Sequence, residues 1–128
     1  MPARIVFLAS AFLALAVPVY GQTTAAAGAA TPALIARGDS VFHGPGNCYA
    51  CHGSKGEGLV GPSLVDAEWI HSKGTVEEIA AQVTKGIPKE QSKNGIPMSP
   101  KGGSTMSDDD VRAVAAYVHS LSQKKSGT

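Results

Sequence analysis

Residues 48–52 read Cys-Tyr-Ala-Cys-His, two thiols and an imidazole within five positions. Residues three apart on a helical turn project to the same side. The sulfurs of Cys48 and Cys51 can therefore both bond one flat molecule, and His52, next in line, can reach a metal at its centre. C-x-x-C-H is the attachment pattern of a c-type haem, two thioethers and one histidine on the iron. Three other chemistries use the same side chains. A thioredoxin-like pair needs a strand before the motif and a helix after it, whereas Gly44, Gly46, Gly53 and Gly56 flank it here. A zinc site takes four ligands, typically with a second cysteine pair, and the chain has two cysteines in all. A disulfide across so tight a loop would add little stability. Haem attachment is the reading these residues support best.

The elements that must hold this turn are helical. Thr31-Pro32 opens a helix, with threonine as N-cap and proline at the first helical position. Ala33, Leu34, Val41 and Phe42 are its apolar residues. Gly38 in its middle costs about 1 kcal/mol relative to alanine, which makes sense where another helix crosses closely. Glycines then punctuate residues 43–62, a loop wrapped round the turn at 48–52. Asp66 is expected to cap a short helix through Trp69 and Ile70, stopped by Gly74. Thr75 and Glu78 form a capping-box pattern, followed by Val76, Ile79, Ala80 and Val83 at helical spacing and ended by Gly86. Residues 87–105 read as loop, with Pro88, Pro97 and Pro100. Ser107 caps the last helix, and Asp108, Asp109 and Asp110 lie at the positive end of its dipole. Val111, Val114, Ala115, Val118 and Leu121 make one apolar stripe. No strand pattern competes, and there is no internal repeat.

Composition narrows the class. The chain has 128 residues, a formal charge of +1 and a pI near 7.8, which gives no nucleic-acid footprint. Apolar residues are concentrated at the start. Beyond Tyr20 the aromatic residues are Phe42, Tyr49, Trp69 and Tyr117, a thin core for a single small domain. A large flat cofactor would complete it. Residues 1–21 read as a secretory signal: Arg4, an apolar run from Ile5 to Val17, then Pro18 and a cleavage site near Gly21/Gln22. That run is well short of the roughly 20 residues needed to span a bilayer. The expected organisation is a signal peptide at 1–21, a flexible leader at 22–30, one domain at 31–123 and a tail at 124–128. The mature chain is expected in the periplasm, without a membrane span.

In order and spacing these segments resemble the class I c-type cytochromes, the small bacterial His/Met-ligated proteins with one haem. The resemblance runs from Ala33 to about Ser122. It rests on the first helix with Gly38 and Phe42, the CYACHG segment, Gly61-Pro62-Ser63-Leu64 and Trp69. Further on it rests on Gly86-Ile87-Pro88, Gly95-Ile96-Pro97-Met98 and the last helix with Ala116-Tyr117-Val118. It implies an all-α cytochrome c fold, three main helices plus a short one around a covalently attached haem. It also implies that Met98 is the second iron ligand, that the Pro62 carbonyl orients His52, and that Trp69 bonds a haem propionate. Trp69 is equally readable as a core residue.

Met98 lies between Pro97 and Pro100, which stiffen its segment. Met106 is the rival, although it precedes the Ser107 cap with Val111 beyond, a hydrophobic-staple arrangement. His43, His71 and His119 are lesser candidates. His/Met ligation leaves no open position for substrate, so the expected function is one-electron transfer and not catalysis. The expected protein is a monomeric, single-haem carrier that serves a redox donor and acceptor the sequence does not name. The alternatives are a haem subunit of a larger redox complex, or a haem enzyme or sensor if Met98 does not ligate iron. Lys85, Lys89, Lys93 and Lys101 flank the Met98 segment; an ordinary solvated surface is the favoured reading, and steering of an acidic partner is the alternative.

Overall fold

Side-chain caps start the long helices. In the computed structural model, which describes residues 29–124, the Thr31 hydroxyl accepts from the Leu34 amide at 3.2 Å and opens α1, Pro32–His43. The Thr75 hydroxyl accepts from the Glu78 amide at 3.2 Å, and the Glu78 carboxylate accepts from the Thr75 amide at 3.5 Å. This reciprocal pair opens α3, Val76–Lys85. Ser107 and Asp110 do the same for α4, Asp108–Gln123. Between α1 and α3 lies the single turn α2, Tyr49–His52. Two 3-10 turns, Lys89–Gln91 and Pro100–Gly103, precede α4.

The architecture is all-α, with three main helices as expected, and its short helix is the turn α2. Among the described residues the only β pairing is an isolated antiparallel bridge between Ile87 and Met98. No described helix is long and apolar enough to cross a membrane. The expectations for residues 1–21, for most of the 22–30 leader and for tail residues 125–128 fall outside the described residues.

α4 packs against both α1 and α3. Its buried face includes Val111, Val114, Ala115, Val118 and Leu121, and it meets Val41 and Phe42 of α1 and Val76, Ile79 and Val83 of α3. At the α1–α4 crossing Gly38 is buried against the Ala113 carbonyl and the Tyr117 side chain, leaving no room for a Cβ. Phe42 and Tyr117 meet beside it, ring centroids 5.3 Å apart. Arg37 on α1 donates to Asp110 at the start of α4, at 2.8 and 3.2 Å. With Ser107, it holds the Asp110 carboxyl below its ordinary value.

One expected element is absent. Residues 66–70 form bends and irregular chain instead of a short helix. Local side chains supply backbone partners there that compete with helix formation. Asp66 accepts from the Glu68 amide, Ser63 from the Val65 amide and Ser72 from the Gly74 amide.

Candidate haem site

The attachment turn is built from local bonds. The Cys48 carbonyl accepts from the amides of Cys51 and His52, and the Tyr49 carbonyl accepts from Gly53. Cys48, Cys51 and His52 thereby share one turn. Cys48 is half-buried and Cys51 exposed, both as free thiols. Burial pushes the Cys48 thiol up to about 11. A thioredoxin-type pair depends on a lowered thiol pKa, so this environment disfavours that chemistry. Among the described residues no three His, Cys, Asp or Glu side chains gather as a metal cluster.

His52 is oriented from behind. Its Nδ1 lies 2.9 Å from the Pro62 carbonyl oxygen, which can only accept. Nδ1 therefore carries the proton, and the lone pair is left on Nε2, the form a metal ligand needs. Gly61 lets the chain pass over the ring, since a Cβ there would sit 2.9 Å from His52 Cε1. The loop is closed by Gly61 donating to the Cys51 carbonyl and Gly58 to the His52 carbonyl, at 2.8 and 2.7 Å.

A cleft opens in front of this turn. It has two lobes that share Cys48, His52, Pro62, Ile70, His71, Ile87 and Met98. Phe42, Leu64, Ile79, Val83, Val114 and Val118 make the inner lobe apolar, and Trp69 lines it as well. A flat macrocycle fits this arrangement: apolar walls, two sulfurs and an imidazole at one side, and a thioether reaching the same space.

Met98 is half-buried and lines both lobes, whereas Met106 is 6% exposed and packs in the core with Val111, away from the cleft. The Met98 backbone is fixed by its two-way pairing with Ile87, at 2.8 and 2.9 Å. Gly86 permits the close approach; a Cβ there would meet Pro100 N at 2.8 Å and collide with the Met98 carbonyl.

The other histidines separate. His71 is exposed and lines both lobes. His119 bonds through Nδ1 to the Gly74 carbonyl at 2.7 Å, and Gly74 in turn gives the Trp69 indole its room. His119 thus braces the wall that carries Trp69. His43 lies outside the cleft. Its Nδ1 faces the Asp39 carbonyl at 3.0 Å and the Asp39 carboxylate at 2.9 Å, and its Nε2 faces the Ser54 carbonyl at 2.7 Å. These bonds tie α1 to the chain just past the attachment turn. The His43 ring also stacks on Tyr49, which stands between the two cysteines.

Lys101 was expected among the surface lysines. It is instead engaged, donating to the Met106 carbonyl at 3.0 Å and to Asp108 at 2.9 Å. Asn94, for which the sequence suggests no role, donates through its side-chain amide to the Val60 carbonyl, and both residues line the outer lobe. Neither contact has a local sequence signal.

Residues 33–118 match the family model described as cytochrome c oxidase, cbb3-type, subunit III. A cytochrome c6 from Leptolyngbya boryana is 38% identical over 91 residues, covering 70% of this chain and 94% of its own. The cytochrome c6 of Synechocystis sp. is 36% identical over 99 residues, covering 74% of this chain and 72% of its own. The CcoP subunit of the cbb3-type cytochrome c oxidase of Cereibacter sphaeroides is 33% identical over 94 residues. That match covers 70% of this chain but 28% of the subunit, so the chain spans under a third of that relative's length. No solved structure gives a significant match.

Proposed function

The chain belongs to the cytochrome c family that these matches define, and on that premise we propose that it is a one-electron carrier with a single haem c. Membership implies covalently bound haem c and a role in electron transfer. In this reading Cys48 and Cys51 form the thioethers, His52 and Met98 are the axial ligands, and Trp69 reaches a propionate. The observation that carries it is the shared lining: one cleft meets Cys48, the oriented imidazole of His52 and the thioether of Met98. A bound haem supplies reversible one-electron chemistry, with a potential raised by methionine ligation.

The chain's own residues do the rest. Pro62 fixes the His52 tautomer and ring plane. The Ile87–Met98 pairing fixes the backbone that carries the thioether, which would keep reorganisation small. Phe42, Ile79, Val83, Val114 and Val118 exclude water from the inner lobe. The proposed setting is the periplasm after export, with a redox protein on either side.

A second reading has its own support. CcoP and FixP subunits of cbb3-type oxidases are among the relatives, so this chain could serve as the haem-bearing part of a larger redox assembly. Both readings need the same ligands and differ in whether the purified protein exchanges electrons as a free carrier.

The ligand assignment is tested by the weak red charge-transfer band of methionine-ligated ferric haem. It is expected in the wild type and in Met106→Ala, and lost in Met98→Ala. Loss in Met106→Ala with retention in Met98→Ala would overturn the assignment. Carbon monoxide binding by the unmutated reduced protein would favour a haem enzyme or sensor instead.

A further inference from the structure

Lys101 stands three residues after Met98, in the left-handed region at φ 53° and ψ 29°. Gly102 and Gly103 follow at φ 65° and 78°. Glycine takes these angles freely, but a lysine pays a conformational penalty there and keeps the conformation only when its surroundings enforce it. Its surroundings here are specific. The ammonium donates to the Met106 carbonyl at 3.0 Å and to the Asp108 carboxylate at 2.9 Å. Its own carbonyl accepts from the Ser104 amide at 3.1 Å and the Ser104 hydroxyl at 2.8 Å. The Lys101 side chain is about a quarter exposed, unlike a free surface lysine. Met106 is buried in the core immediately before the α4 cap. The Met98 segment is therefore anchored twice: to Ile87 behind α3, and through Lys101 to the first turn of α4.

We propose that Lys101 is a positioning residue for Met98: its ammonium ties the ligand-bearing segment to α4 and keeps the thioether from swinging off the iron. This rests on the reading of Met98 as the axial ligand. A thioether is a weak ligand, so its occupancy depends on how tightly its segment is held and not on bond strength alone. Lys101 acts through the backbone and does not touch the cleft.

The test uses the ferric holoprotein titrated with imidazole, followed through the red band and the main absorption band. Lys101→Asn removes the ammonium, while asparagine tolerates the left-handed backbone. It is expected to bind imidazole roughly tenfold more tightly than wild type, the size of one lost charge-assisted hydrogen bond. Lys101→Arg should restore most of the wild-type resistance. Arg37→Ala breaks the other ion pair at the start of α4 without touching the Met98 segment, and its imidazole affinity should equal that of wild type. The proposal is overturned if Lys101→Asn matches wild type, or if Arg37→Ala raises the affinity equally, since a general loosening of α4 would then explain it. A wild type that lacks the red band overturns the ligand reading itself, and this inference with it.

Discussion

His43 meets only acceptors: two oxygens of Asp39 at one ring nitrogen and the Ser54 carbonyl at the other. A neutral imidazole has one N–H and would leave one side facing a lone pair. The imidazolium satisfies both, and the bonds to Ser54 and Asp39 hold the His43 pKa above its ordinary 6.5. A raised folded value means the contribution to stability is complete below pH 6.5 and is lost as pH rises through the folded pKa. The ring is exposed, so the effect is small. The urea midpoint of the wild type should fall more steeply as pH rises above 6.5 than that of His43→Gln; parallel slopes would refute this. At this scale the sequence was informative wherever function is local. The proposed haem-attaching set of Cys48, Cys51 and His52 is readable because it lies within five consecutive residues. Met98 was separable from Met106 because prolines flank one and a helix cap follows the other, and only Met98 lines the cleft. The roles of Gly61 against His52, His119 against Gly74 and Lys101 against Met106 were not legible as contacts. The His119 contact joins residues 45 apart in sequence. The bond from Lys101 turns on a left-handed lysine that no spacing rule announces.

At the level of elements, the α1–α4 crossing decides whether the scaffold closes. Gly38→Ala offers two opposed effects. Alanine favours the helix by about 1 kcal/mol, but its Cβ would enter the Ala113 carbonyl and press on Tyr117. A backbone carbonyl cannot rotate aside as a side chain can, so overpacking, typically about 1–3 kcal/mol, should win. Denaturant unfolding of Gly38→Ala is expected to show net destabilisation; a variant more stable than wild type would mean the two helices separate at little cost. The caps and apolar stripes of α1, α3 and α4 were readable because each rests on residues within one or two turns. The segment at 66–70 was misread for a related reason. Asp66 is a good cap, but it and its serine neighbours bond the backbone as isolated turns, and no apolar stripe follows to reward a helix.

For the molecule as a whole, the scarcity of aromatic residues noted in the sequence corresponds to a cleft walled by all three main helices. Around its outer lobe Val60, Ile70 and Ile96 are 43%, 44% and 49% exposed. Lys93 lines the same lobe, and Lys89 lies on the same excursion of chain. With Lys101 occupied elsewhere, Lys85, Lys89 and Lys93 remain, of the four lysines that flank Met98, as proposed docking cations. The second-order rate of electron transfer to such a partner should fall as ionic strength rises, because exposed charges are screened beyond about 10 Å at 0.1 M salt. A rate that does not change with salt would remove these lysines from docking. The charge total of +1 could not reveal this, since it averages the lysine-bearing segment with the acidic start of α4.

The pairing of Ile87 with Met98 has a consequence for how such a molecule can diversify. It brings the two ends of residues 88–97 together, so that stretch is an excursion that leaves and returns at one fixed point. Changing the length of a closed excursion alters its closure entropy only slowly, and the ends stay where the pairing puts them. Lys89, Lys93 and Ile96 lie on the excursion; Met98 lies at its root. Residues proposed to meet a partner can therefore change with little effect on where the Met98 backbone sits. On the proposed reading, the choice of partner and the setting of the redox centre would be separately adjustable parts of one chain.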